Sequence, residues 1–160
     1  MNPLNNYIPT LGIDFEKKII AVNNTLCFIY IWDLSGLVVQ KISSGMSSAE
    51  FYLKNALLNV AGCVLVYDTT QSETFNNIKF WIDEVKKYVN NFDQGSFILV
   101  GNKIDREQEQ QKIDNHKLNE ILRTHCINNH LLVSAKTRHN IDDIFIKLTC
   151  EMIEKKGNND

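Results

Sequence analysis

No apolar run among the 160 residues approaches the ~20 that a membrane-spanning helix requires. The polar opening Met1-Asn2-Pro3-Leu4-Asn5-Asn6 lacks the basic and apolar parts of a signal peptide, so an unexported, cytoplasmic protein is expected. Excess charge of one sign is lacking too. Lys and Arg total 17 against 19 Asp and Glu, a net charge of −2, which gives no field for holding nucleic acid or an anionic membrane. Cysteine is sparse and scattered. Cys27, Cys63, Cys126 and Cys150 lie far apart and mostly inside apolar runs, matching neither a zinc ligand pair nor a disulfide framework. A reducing compartment follows. His116, His125, His130 and His139 likewise form no metal-ligand spacing. No repeat or linker divides the chain, and 44% apolar content suits a single domain over residues 1–156 with a frayed tail at 157–160.

What is present is an alternation of strand-like and helix-like segments, the pattern of a layered α/β domain with a mostly parallel sheet. Residues Phe15 to Val22 and Leu26 to Trp32 are β-rich and separated by Asn23-Asn24, a tight-turn pair, which predicts an antiparallel hairpin at one sheet edge. The short, continuously apolar runs Cys63 to Tyr67, Phe97 to Val100 and Leu131 to Val133 read as parallel strands covered on both faces. A helix is expected from a cap at Ser72, with Phe75, Ile78, Ile82, Val85 and Val89 on one side. Another is expected after Asn140, with Ile141, Ile144, Phe145, Leu148 and Met152 along its apolar face.

In open α/β sheets ligands bind beyond the carboxyl ends of the strands, so polar clusters directly after apolar runs carry the chemistry. Three stand out. Asn102-Lys103-Ile104-Asp105 follows the run ending at Gly101, and Ser134-Ala135-Lys136 follows the run ending at Val133. A carboxylate held at a strand end, such as Asp105, accepts two parallel hydrogen bonds from a ring N–H and an exocyclic amine, a pattern that guanine offers and adenine does not. The third cluster is Trp32-Asp33-Leu34-Ser35-Gly36 at the end of the second strand. Taken singly, Asn102, Asp105 and Ser134 would be ordinary turn residues and Asp33 a strand-end cap.

Asn-Lys-x-Asp and Ser-Ala-Lys, in that order and at those strand ends, resemble the guanine-recognition elements of the Ras-like small GTPases. Tyr7-Ile8-Pro9-Thr10-Leu11-Gly12-Ile13-Asp14-Phe15 looks like switch I of the Rab type, and Trp32 to Gly36 is similar to the start of its switch II. The resemblance spans nearly the whole chain. It implies a three-layer, P-loop NTPase-like α/β fold, with GTP or GDP and Mg²⁺ as cofactors. By resemblance Asp105 reads the guanine edge, Lys103 lays its stem along the ring, Asn102 ties the loops together, the Ala135 amide meets the guanine oxygen, and Lys136 supports the other face behind Ser134. Thr10 and Gly36 would meet the terminal phosphate, and Thr10 and Asp33 the metal.

Two departures qualify that expectation. No Gly-x-x-x-x-Gly-Lys-[Ser/Thr] occurs in the 160 residues, so the backbone nest, the lysine and the hydroxyl that hold phosphates and Mg²⁺ in such domains are not supplied. The family's first strand, P-loop and first helix are expected to be missing with it, which leaves a gap of about two strand spacings, roughly 9–10 Å, beside the hairpin. Leu37 stands where the family has the glutamine that orients the attacking water, and leucine neither donates nor accepts. No catalytic residue is assigned. The Ser43-Ser44-Gly45-Met46-Ser47-Ser48 centre of the 38–58 segment reads as a loop. Two functions are expected from different classes: a truncated Rab-like GTP-binding switch of vesicle traffic, impaired in binding and hydrolysis, or a nucleotide-free pseudo-GTPase serving as an interaction module. Effectors and regulators are expected at the switch regions of a monomer. Membrane contact is expected only through partners, because Gly157-Asn158-Asn159-Asp160 offers no prenylation cysteine and Cys150 falls on a helix.

Overall fold

A computed structural model describes residues 13–34, 57, 60–87, 95–111 and 113–157. Two strands open it, β1 (Ile13–Val22) and β2 (Thr25–Leu34). They pair antiparallel from Ile13 opposite Leu34 to Val22 opposite Thr25. Asn23 (φ 49°) and Asn24 (φ 62°) turn the chain between them, both in the left-handed region that a two-residue hairpin turn demands and asparagine tolerates. β3 (Gly62–Asp68), β4 (Ser96–Asn102) and β5 (Asn129–Leu132) form a parallel sheet in the order β3-β4-β5.

The helices are α1 (Ser72–Asn76), α2 (Ile78–Lys86), α3 (Asn115–Thr124) and α4 (Ile141–Gly157), with a 3₁₀ turn at Glu107–Glu109. The helix expected as one from Ser72 is thus two, broken at Asn77. Ser72 is its first helical residue rather than its cap; Gln71 holds the cap position without a side-chain bond. The Ser72 N–H, one of the first-turn donors that has no partner within the helix, is satisfied by the Gln111 side-chain oxygen at 2.7 Å. Val89 lies outside the described residues. α3 is capped by Asp114, whose carboxylate accepts from the His116 and Lys117 amides. Asn140 has φ 56° and spends its amide on the Leu132 carbonyl at 3.0 Å.

Alternation along β4 builds the core. Phe97 and Leu99 face one side with Leu65, Tyr67, Phe75, Ile78, Ile82 and Ile121, while Ile98 and Val100 face the other with Val133, Ile144 and Leu148. Successive strand side chains point to opposite faces, so a continuous apolar run is what a sheet covered by helices on both faces needs. The result is helix, sheet and helix in three layers. Burying each of these large side chains contributes about 1.5–3 kcal/mol. Burial also pushes the Cys63 thiol up to about 12, which keeps it a protonated packing group.

The hairpin was expected at the edge of the same sheet. Among the described residues it forms a separate sheet, with no ladder to β3. It is held instead against α4, where Lys18 pairs with Asp142 at 2.9 Å and lies over the Phe145 ring at 5.0 Å. At the other end of α4, the buried Glu151 carboxylate accepts from Asn128, Asn129 and Lys155, and Lys155 also donates to the Gly95 carbonyl.

Candidate functional site

Polar residues crowd the carboxyl ends of β3, β4 and β5. Asn102 is the last residue of β4, and its side-chain oxygen accepts from its neighbour Lys103 N–H at 2.7 Å and from Ala135 N–H at 3.0 Å. One amide therefore ties the loop after β4 to the loop after β5. Its own carbonyl takes two bonds from Thr69, the N–H at 3.0 Å and the hydroxyl at 2.8 Å, which fixes the end of β3 to the same point. Lys103 follows in the left-handed region at φ 72°. That turn sends its ammonium to Asp68 at 2.6 Å and leaves the side chain half-exposed.

Asp105 is held from the neighbouring loop. The Ser134 hydroxyl donates to its Oδ1 at 2.6 Å, and the Lys136 ammonium stands 3.8 Å from its Oδ2. Ser134 in turn is fixed by donation from its N–H to the His139 carbonyl and by accepting from Thr137 N–H at 3.1 Å. The Ser134 hydroxyl bond is the main cause holding the Asp105 carboxyl below its ordinary range, with Lys136 and Arg106 adding to it. For Asp68 burial pushes upward, but Lys103 and Thr70 outweigh it, so that carboxyl is also lowered. Both stay ionised at neutral pH and accept hydrogen bonds only.

The structure thus brings Asn102, Lys103, Asp105, Ser134, Ala135 and Lys136 together. Asp33 sits on the hairpin, one residue from the end of β2 and opposite Asp14. Thr10, Gly36 and Leu37 lie outside the described residues. Three residues that build the cluster were not singled out in the sequence: Asp68, Thr69 and Thr70. The signal was available, because Asp68-Thr69-Thr70 follows an apolar strand in the same way as the other clusters. The Ala135 N–H, expected to face a guanine oxygen, here donates to Asn102, so an incoming acceptor must share that donor or replace the bond.

A family model described as the Ras family matches residues 4–154. The chain belongs to the Ras family. Relatives place it with the Rab type: it is 30% identical to Ras-related protein Rab-13 of Bos taurus over 96% of this chain and 69% of that protein. It is 32% identical to Ras-related protein SEC4 of Saccharomyces cerevisiae over 96% of this chain and 65% of that protein, and 30% identical to Ras-related protein Rab-12 of Mus musculus over 91% and 55%. The chain thus spans between 55% and 69% of the length of these relatives. The α/β fold with its parallel sheet and flanking helices agrees with membership.

Membership implies GTP or GDP with Mg²⁺ in the family. The donor set after β4 and β5 fits the base: an ionised carboxylate fixed by Ser134 suits a guanine edge, and the half-exposed Lys103 stem beside it suits a ring face. Of Thr10 and Asp33, expected at the metal, only Asp33 lies among the described residues, and among those residues no group of three or more His, Cys, Asp or Glu side chains could hold a metal ion. No described helix is long and apolar enough to cross a membrane.

Proposed function

We propose that this Ras-family chain is a Rab-like, guanine-reading switch of vesicle traffic, in which Asn102, Lys103, Asp105, Ser134, Ala135 and Lys136 hold the base. The observation that carries the reading is Asp105. It is fixed at a strand end by the Ser134 hydroxyl at 2.6 Å, ionised, and approached by the Lys136 ammonium at 3.8 Å. A rigid acceptor of this kind discriminates by leaving buried polar groups unpaired when the wrong base enters, a penalty of about 1–3 kcal/mol per unsatisfied group. Asp33, Thr10 and Gly36 serve Mg²⁺ and phosphate in this reading, and effectors and regulators meet the chain at the switch regions. Because these 160 residues contain no phosphate-loop motif and carry Leu37 at the glutamine position, nucleotide is held weakly by this chain and hydrolysed slowly.

A second reading, a pseudo-GTPase interaction module, is favoured by the same two departures. Titration of the 160-residue chain with a fluorescent GDP analogue and Mg²⁺, with unlabelled GDP and ADP as competitors, separates the two. The switch reading expects GDP to compete at least about tenfold better than ADP and Asp105→Ala to abolish binding. Equal competition, or an Asp105→Ala chain that binds as well as its parent, would rule it out.

A further inference from the structure

Asp68 closes β3 directly opposite Asn102 in the parallel register, and its side chain is only 12% exposed. The Thr70 N–H and hydroxyl both donate to its Oδ1, at 2.8 and 2.7 Å. Its own N–H donates to the Thr74 hydroxyl at 2.9 Å. Turn and carboxylate are thus fixed from within the same loop, and Oδ2 is the atom that the Lys103 ammonium meets at 2.6 Å. Lys103 is pinned at its root as well. Its N–H donates to the Asn102 side chain at 2.7 Å, and its carbonyl accepts from the Arg106 N–H at 3.1 Å and the Gln110 amide at 3.2 Å. Those bonds hold a left-handed backbone, φ 72°, that a residue with a β-carbon keeps only where its surroundings over-determine it.

We propose that Asp68 is a positioning residue for nucleotide binding, acting through Lys103 by holding its stem as a preformed apolar platform for one face of the purine ring. The role rests on the guanine reading of the cluster and adds to it the group that sets how well the ring face is met.

A turn at a strand end needs only the Oδ1 bonds to Thr70; the Oδ2 bond goes instead to the tip of a side chain on the loop after β4. A lysine held at its root alone keeps the rotamer freedom of a flexible four-carbon stem. Held at root and tip, Lys103 follows one course across the carboxyl ends of β3 and β4. Binding then no longer has to freeze that stem, which raises affinity without any new contact. An alkyl stem under a ring face takes no account of the groups at the ring edge. Asp68 therefore governs affinity, while Asp105 governs the choice of base.

Competition by GDP and by inosine diphosphate, which lacks the exocyclic amine, against a fluorescent GDP analogue with Mg²⁺ on the full chain tests this division. Asp68→Asn keeps an oxygen for Thr70 and offers the ammonium only an amide NH2, so it frees the stem with the turn intact. It is expected to weaken GDP about 5- to 30-fold and to leave the preference for GDP over inosine diphosphate within about twofold of the parent. Lys103→Met keeps the stem and removes the ammonium. It should weaken GDP to a similar degree, and adding Asp68→Asn to it should change GDP binding by less than about twofold, because a residue acting through Lys103 has nothing left to act on. GDP binding indifferent to Asp68→Asn overturns the proposal. So does a loss in the double variant equal to the two single losses combined, which marks damage to the turn, or a collapse of the base preference in Asp68→Asn. If Asp68→Asn loses its circular dichroism signature, Lys103→Met alone decides: weakened GDP with the preference kept supports the role, and GDP bound as by the parent overturns it. A parent chain whose GDP binding is indifferent to Asp105→Ala fails differently, since the guanine reading itself falls and this role falls with it.

Discussion

At Gly101 a hydrogen in place of a methyl group lets Tyr67 reach across β4 to His130 on β5. A Cβ there would stand 2.6 Å from the Tyr67 hydroxyl and 2.8 Å from a Leu132 methyl, so Gly101→Ala is expected to cost about 1–3 kcal/mol by overpacking. Urea unfolding measures it, and a cost near zero would show that the sheet yields at this point. The gap exists for a polar contact: the Tyr67 hydroxyl meets His130 Nε2 at 2.9 Å, with the rings stacked at 5.9 Å. Burial lowers the His130 pKa. The unfolded chain then binds the proton more readily than the folded one, so stability is full above the unfolded value of about 6.5 and declines as pH falls through the folded value. Urea midpoints from pH 7.5 to 5 should fall for the parent chain, and His130→Phe should flatten that slope. Neither residue was legible as a pair, because a sequence does not reveal that register places Tyr67, Gly101 and Leu132 side by side. The residues proposed to read the base were legible as one cluster, since their positions follow from strand ends and need no knowledge of pairing.

At the scale of elements, periodicity found what is apolar and failed where anchoring is local. β3, β4 and β5 were readable as short apolar runs, and the α4 face from Ile141 to Met152 is the one that packs on the sheet. α3 was not readable. It carries only Leu118, Ile121 and Leu122 as apolar residues in Asn115–Thr124, and its start depends on Asp114. Removing that cap by Asp114→Ala should cost about 1 kcal/mol, within a range of about 0.5–2, measurable as a lower melting temperature. A loss much below this range would mean the tertiary contacts of Ile121 hold the helix alone. The place of Ser72 inside the helix was also hidden, because the Gln111 contact that takes its N–H comes from 39 residues away.

At the scale of the whole molecule, the described residues divide into a firmly buried parallel sheet and a hairpin attached among them mainly through α4. A two-stranded sheet with one exposed face has little of its own to hold it, whereas β4 is buried on both faces. Amide exchange should therefore be faster in Ile13–Leu34 than in Ser96–Asn102 by at least about tenfold. Mass-resolved exchange checks this, and equal protection would mean that the hairpin and parallel sheet open as one unit. The central claim is that the ends of β3, β4 and β5 converge on a guanine-reading cluster. Amide chemical shifts of Lys103, Asp105 and Ala135, followed as guanosine and then adenosine are added to the full chain, test it most directly. Shifts with guanosine alone, lost in Asp105→Ala, are the predicted result. Equal shifts with both nucleosides, or none at these three residues with guanosine, would contradict it.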